Sequence, residues 1–431
     1  MNKRGNVMLS KKLSKTVLAA LAAGTLSMAA VSAHAECTTT IGGVMALTGS
    51  LGALGQQIGR GAQLAVSNIN QAGGVNGCEL KLALYDDQTQ PSVGVDAAKK
   101  LVDISHVPVI VGALSSGVSM AILTSVTSSA HVVQISPAST SPSFTELAME
   151  GKTGGYWFRT VPSDALQGTA MAMLAHQHHL KSVAVMYINN PYGSGLSGKF
   201  TEYFKKMGGK VTAEVPYNEN QPSYRSEVNQ ALSGKPQALF LIGYPGDGTT
   251  VAREWVSAGG PMTFLLPDGL ESQKFVDDVG AKYMKTVYGT AAGSEKTPSL
   301  GVFKADFKKK YGSFPTQAYM TNAYDAVMIA ALAMESAKSD KAMAIRDNIR
   351  KVTGMGGTTI YAGIDGFKKA KKLLMEGKKI HYVGASGPLT FDQYGDVTAP
   401  MVVWTVKGGK VAQTGMIKVA AINKVLKKYA K

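Results

Sequence analysis

Hydroxyl, tyrosyl and carboxyl side chains gather in this chain at the points where apolar runs stop. The run Val132–Ile135 breaks into Ser136-Pro137-Ala138-Ser139-Thr140-Ser141-Pro142. Another run ends in Gly112-Ala113-Leu114-Ser115-Ser116-Gly117, and a third in Thr48-Gly49-Ser50-Leu51-Gly52. Further on, Asn189-Asn190-Pro191-Tyr192-Gly193, Gly243-Tyr244-Pro245-Gly246-Asp247 and Pro267-Asp268-Gly269 close runs of the same kind. The earlier group offers hydroxyls and free backbone N–H groups, which suit an anion where a helix begins. The later group offers Tyr192, Tyr244 and the Asp268 carboxylate, which suit a cation. Together they suit a small zwitterion. Taken singly, each has a plainer role. Ser116 and Thr140 fit helix caps, the tyrosines fit half-buried packing, and Asp268 before Gly269 fits a turn.

Such motifs need elements to bring them together. Short apolar runs bounded by turn residues read as buried strands, and apolar residues three and four apart read as helices. On that basis Thr39–Leu47 is a strand, Gly55–Asn70 a helix with Ile58, Ala62, Ala65 and Ile69 on one face, and Leu80–Tyr85 a strand. Helix 91–104, strand 108–112, helix 118–129 and strand 132–135 continue the rhythm. Gly155–Val161 is a crossing strand. The alternation restarts with strands at 182–188, 210–217, 238–243 and 263–266, and helices near 165–179, 192–207, 223–232 and 247–258. Helices near 299–310, 317–337 and 342–352 follow, then strand-like pieces at 387–391 and 400–406. Alternating strands and helices argue an α/β fold with two parallel sheets flanked by helices. Open α/β sheets bind ligands beyond the carboxyl ends of their strands, where the polar motifs lie.

The chain has 431 residues, 45% of them hydrophobic, enough for two or three domains with large cores. Lys3, Arg4, Lys11, Lys12 and Lys15 open it, Val17–Val31 is mostly small and apolar, and Ala33-His34-Ala35 ends the stretch. This is the plan of a secretory signal peptide cleaved after Ala35. The apolar run is short for a membrane anchor, and Cys37 lacks the preceding Leu-x-Gly/Ala of a lipoprotein. The leader holds five basic residues and no acid, so +11 of the formal +16 stays on the mature chain. No basic stripe with interleaved aromatics suits nucleic acid. Lys368, Lys369, Lys371 and Lys372, and again Lys424, Lys427, Lys428 and Lys431, read as solvated helix faces. A weak attraction to an anionic membrane surface is the alternative. Export places Cys37 and Cys78 in an oxidising space. They precede neighbouring strands, so a disulfide is expected, closing a loop of about 40 residues and worth about 4 kcal/mol.

Little points to catalysis. No nucleophile has an evident base and orienting acid, and the glycines Gly55, Gly59 and Gly61 lack dinucleotide spacing. His176 and His179 share a helix face, but no acidic or cysteine partner is near in sequence, so with His178 they read as surface histidines. No cofactor or metal is expected. In the tail Ile417–Lys431, Ile422, Val425, Leu426 and Tyr429 follow helical spacing, which predicts a short amphipathic helix lying on the protein.

Taken in order, TGSLGALGQQIGRGAQLAVSNINQAGGVNG, YDDQTQP, GALSS, ISPAST, NNPYGSG and GPLTFDQYGD resemble the leucine/isoleucine/valine-binding proteins. That family comprises periplasmic receptors of ABC importers with the type I periplasmic binding protein fold, two Rossmann-like lobes with parallel sheets joined by three crossing segments. The resemblance runs to about Met416. It implies lobe one at 36–160 and 290–387, and lobe two at 161–289 and 388–416, with residues 417–431 as a basic tail. The crossings would lie near Arg159–Pro162, Tyr288–Ala291 and Ser386–Leu389. It also implies a periplasmic, monomeric binding protein rather than an enzyme. The ligand would be an amino acid, branched-chain or otherwise apolar, and the partner an ABC permease in the inner membrane.

Site residues follow from the same resemblance. Ser116 matches the serine whose hydroxyl and N–H hold the ligand carboxylate. In the Ala138-Ser139-Thr140 loop, Ala138 matches a residue whose backbone carbonyl accepts from the ammonium and Thr140 a hydroxyl at the amino-acid head. Tyr192 and Tyr244 match tyrosines of the opposite lobe, and Asp268 matches an acid that pairs with the ammonium. Two departures bear on ligand identity. Asp268 is one methylene shorter than the usual glutamate, and Leu54 stands where leucine-binding members present an aromatic. A receptor of the same fold for an amine-free solute, such as an aromatic acid, or for an amide, is the second reading.

Overall fold

The apolar runs at the centres of the sheets become strands whose side chains are covered on both faces. The computed structural model describes residues 37–314 and 318–429, so the expected leader lies outside the described residues. β1 (Thr38–Met45), β2 (Glu79–Asp86), β3 (Val109–Gly112), β4 (Val133–Ser136) and β5 (Trp157–Arg159) form a parallel sheet in the order β2-β1-β3-β4-β5. β3 and β4 are buried throughout, as strands are when helices cover both faces of a sheet. Side chains alternate between the faces. Val109 and Val111 join one core, and Ile110 joins a second with Val44, Leu101 and Val118. Thr38 pairs with Glu79 across β1 and β2, so Cys37 and Cys78 precede adjacent strand starts. Both are disulfide-bonded.

β6 (Ser182–Ile188), β7 (Lys210–Tyr217), β8 (Ala238–Ile242), β9 (Thr263–Leu266) and β10 (Thr286–Ala292) build a second sheet. A small third sheet holds β11 (Thr358–Ile360), β12 (Ile380–Gly384) and β13 (Gly387–Pro388). The second sheet then gains β14 (Met401–Lys407) and β15 (Lys410–Ile417), giving the order β15-β14-β10-β9-β8-β6-β7. It is therefore not wholly parallel: β14 runs antiparallel to β10, and β15 antiparallel to β14. β10 also stays in this sheet through Ala292, so the chain leaves it two residues later than position 290. The helix Met320–Ala337 is buried from Met320 to Glu335, as a helix apolar all round must be. It packs between the helices Gly52–Gln71 and Ala342–Thr353. The tail helix Val419–Lys428 seats Ile422 in a small core with Leu166 and Ala170.

Lys371 and His178 depart from a purely solvated reading. Lys371 Nζ donates to the carbonyls of Gly73 (2.9 Å) and Gly74 (2.7 Å) and lies 3.3 Å from Glu335 Oε1. Lys206 Nζ caps the tail by donating to Tyr429 O at 2.7 Å. The His178 ring stacks on Tyr288 with centroids 3.8 Å apart.

The loop after β4 is held from beneath by one buried cation. Arg159 is fully buried and donates from Nε to Asp396 Oδ1 at 2.6 Å. Its Nη1 donates to Ser141 O (2.8 Å) and Ser139 O (3.3 Å), and Nη2 to Thr145 Oγ1 (3.0 Å). Removing one partner of a buried ion pair leaves the other charge uncompensated. Arg159→Met is expected to destabilise the fold by about 3–5 kcal/mol in guanidinium chloride unfolding. Arg159→Met with Asp396→Leu should recover part of that loss. An unchanged midpoint in the single variant would contradict this role.

Candidate functional site

Strand ends of both large sheets converge on one small cavity of about 30 Å³. Leu54 and Ile58 come from the helix Gly52–Gln71, with Leu51 at its cap. Leu114 and Ser116 come from the turn after β3, and Ala138 from the loop after β4. Tyr192 and Tyr244 begin the helices after β6 and β8, and Asp268 and Gly269 follow β9. Tyr319 enters from just before the helix Met320–Ala337. One wall is aliphatic, and polar groups converge opposite it, the usual composition of a small-molecule site.

Asp268 is the charged centre of this arrangement. Tyr192 Oη donates to its Oδ1 at 3.0 Å and Tyr319 Oη to its Oδ2 at 2.6 Å. Gly269 N donates to Tyr192 Oη at 3.3 Å. A Cβ on Gly269 would lie 2.5 Å from Gly243 O and 2.9 Å from Tyr192 Oη, so this approach requires glycine. The rings of Tyr192 and Tyr244 stack, 5.6 Å apart and 8° from parallel. Tyr244 Oη meets Ser115 Oγ at 3.1 Å. Contacts thus reach across the cavity between residues that follow different sheets. Ser50 Oγ donating to Asp247 Oδ2 at 3.1 Å is a further one.

Burial sets the electrostatics. It pushes Asp268 above the usual carboxylate range, opposed by hydrogen bonds from Tyr319, Tyr192 and Gln167. Asp164, at the start of the helix Asp164–Gln177, is raised further, by burial first and then by the Asp268 charge. Thr140 and Arg159 favour its charged form without matching those effects. Neither Asp164 carboxylate oxygen nor Thr140 Oγ1 has a hydrogen bond of ordinary geometry, although Asp164 N donates to Thr140 O at 2.8 Å. Glu271 is pushed up to about 7 by burial, partly offset by Gln413 and raised by Asp268. Burial and Asp268 also raise the Tyr192 and Tyr319 phenols well above their ordinary value, so both remain donors at neutral pH. The cavity is rich in acceptors and poor in cations.

Six of the residues singled out in the sequence line the cavity: Leu54, Ser116, Ala138, Tyr192, Tyr244 and Asp268. Ser139 and Thr140 do not. Ser139 Oγ turns inward, 2.8 Å from Ser119 Oγ and 3.1 Å from Leu114 O, while its N–H reaches Ser136 Oγ at 2.9 Å. It braces the loop. Ser116 Oγ accepts from Ser141 N at 3.2 Å, tying the two loops of the first sheet together. Leu51 and Ile58 extend the helical stripe of Leu54 and were legible from that spacing. Asp164 and Tyr319 had no sequence signal. Tyr319 takes φ +70°, uncommon for a bulky residue and a mark of a position held by its surroundings.

Comparison with known proteins agrees with this geometry. A family model described as periplasmic binding protein matches residues 38–410. A chemotactic signal transduction system substrate-binding protein, BasB of Halobacterium salinarum, is 29% identical over 81% of this chain and 82% of its own length. Leu/Ile/Val-binding protein homolog 3 of Brucella melitensis is 28% identical over 84% of this chain and 89% of its own. The crystal structure of the leucine-binding protein LivK of Thermotoga maritima superposes with a TM-score of 0.75 at 26% identity, covering 89% of this chain and 99% of that one. With two α/β sheets meeting at one cavity and a match spanning most of its length, the chain belongs to the periplasmic binding protein family.

Proposed function

We propose that this protein is the substrate-binding component of an ABC importer, taking an apolar amino acid into the cavity by closure of two lobes. The observation that carries the reading is the Asp268 carboxylate, facing the Ser116–Ala138 side across a cavity walled by Leu51, Leu54, Ile58 and Leu114. A buried carboxylate is costly unless paired, and an ammonium supplies the pairing. Ser116 would hold the ligand carboxylate, Ala138 O and Asp268 would meet the ammonium, and the aliphatic wall would take the side chain, with Thr140 acting from behind the wall beside Asp164. Ser139 acts through the loop it braces. The relatives named for leucine, isoleucine and valine binding support this ligand class.

The lobes in this reading are 36–160 with 290–387 and 161–289 with 388–416, with Ala292 still in the second sheet. The Ser115–Tyr244 and Tyr319–Asp268 contacts exist only when the lobes meet, so a ligand touching both sides shifts the population toward the closed form. A permease would read that form. The basic, apolar opening of the sequence supports export and cleavage after Ala35. A monomeric binding role without catalysis fits the family. No helix among the described residues is long and apolar enough to cross a membrane.

One observation favours the second reading, an amine-free solute or an amide. Both Asp268 oxygens already accept a tyrosine hydroxyl, so the carboxylate has partners without an ammonium. Calorimetry separates the readings, on mature protein unfolded, washed and refolded, against the twenty amino acids and a set of amine-free aliphatic and aromatic acids. Binding of Leu, Ile or Val should weaken at least about 30-fold in Asp268→Ala, the consequence of removing one partner of a buried charge pair. Binding of amine-free acids alone would replace the first reading with the second. The pH dependence gives an independent check. Burial raises Asp268 and an amine pairs with its ionised form, so affinity for an amine should fall on acidification. The fall should begin above the ordinary carboxylate range near about 4. An amine-free acid should show no such loss.

A further inference from the structure

The positive charge of this protein is unevenly placed. Residues 299–388 carry fifteen Lys and Arg against seven Asp and Glu, a net +8 out of the +11 left after the leader. Their helices converge on one exposed ridge. The helix Ile364–Met375 starts at a surface groove shared with Lys309 and Lys310. It ends beside a second groove, lined by Lys351, Lys378, Lys379 and the apolar Met355 and Leu374. Between the two grooves Lys368, Lys369 and Lys372 stand exposed along about 6 Å of the helix axis. Carboxylates nearby offset only part of it. Glu376 is taken by Lys378 at 2.7 Å and Asp347 by Arg346 at 2.8 Å, which leaves Asp306 and the exposed Asp365 against the ridge lysines.

Large apolar side chains stand out among these cations. Met355 is 80% exposed and Met375 67%, at the ends of the helices Ala342–Thr353 and Ile364–Met375. Cations flanking protruding apolar groups match a membrane interface, where head groups take the charge and acyl chains the apolar tips. A purely acidic protein surface would satisfy the lysines and leave the methionines without a reason. The tail helix, the other lysine-rich element, has already spent its apolar face on the core with Leu166 and Ala170. Strand-end motifs and the cavity are built from other segments, so the ridge is separate from the ligand site.

We propose that the ridge formed by the helix Ile364–Met375 and its two flanking lysine grooves docks on an anionic phospholipid surface, with Met355 and Met375 entering the interface. Such docking would hold the protein near any membrane partner whatever solute it carries, so the inference does not rest on the identity of the ligand.

The test is sedimentation of mature protein with vesicles of phosphatidylcholine alone or with about one-third phosphatidylglycerol, at about 0.05 M and about 0.5 M salt. Binding is expected only with phosphatidylglycerol, and it should be lost at the higher salt. Lys368→Glu with Lys372→Glu and Lys379→Glu should weaken it at least about tenfold, while Lys424→Glu with Lys427→Glu and Lys428→Glu should not. Met355→Ser with Met375→Ser should weaken vesicle binding but leave binding to poly-glutamate unchanged. Absence of binding to the anionic vesicles, or loss in the tail variant alone, overturns the proposal. Equal affinity for poly-glutamate with no effect of the methionines would overturn it in favour of an acidic protein partner. Lys371 is left intact because its ammonium holds the Gly73–Gly74 turn, and unchanged circular dichroism confirms that the variants fold.

Discussion

A carboxylate placed in an apolar cavity has to be matched by something, and much of this structure is arranged around the matching of Asp268. Leu51, Leu54, Ile58 and Leu114 exclude water on one side. Two phenols then supply the hydrogen bonds that water would have given, one from Tyr192 after β6 and one from Tyr319 before the helix Met320–Ala337. Those donors follow different halves of the chain. Satisfying the charge therefore also draws the halves together. The stacked Tyr192 and Tyr244 rings and the missing side chain at Gly269 set how closely that can happen. A second buried acid, Asp164, raises the cost of charge at the same place.

Opposite Asp268 the requirement is rigidity rather than charge. A loop of hydroxyl residues bounded by prolines offers many conformations. Here its backbone is fixed from below. Arg159 reaches the carbonyls of Ser139 and Ser141, and Asp396 compensates the guanidinium. Ser136 Oγ donates to Ala113 O at 2.7 Å and accepts from Ser139 N. The chain paths between the sheets receive similar treatment. Asp325, buried and pushed up to about 6, accepts from Tyr382 and from both N–H and Oγ of Ser386. Asn322 exchanges hydrogen bonds with Thr160. Neighbours on one helix thus anchor two of the segments that run between the sheets.

Much of the fold is legible because burial on both faces writes continuous apolar runs. Strands at 182–188, 238–242 and 263–266 end where the apolar stretches end. Other elements are hidden for physical reasons. β15 is mostly exposed and takes its identity from pairing with β14. The helices expected over 91–104 and 118–129 each finish in a wider turn, at Lys100–Ile104 and Leu123–Thr127, that no residue type announces.

The sequence by itself determined where strands stop, that the stops carry hydroxyls, tyrosines and an acid, and that two cysteines precede neighbouring strands. These are local facts, set by period, turn chemistry and residue type. Only the tertiary structure decided which of those side chains share a cavity. Ser139 faces the loop interior because its hydroxyl meets Ser119 there, and Thr140 lies beside Asp164 rather than on the wall. Tyr319 reaches an acid 51 positions away in the chain. Such meetings depend on how two sheets close on one another. Their energies belong to pairs of residues distant in sequence, so no window along the chain contains them.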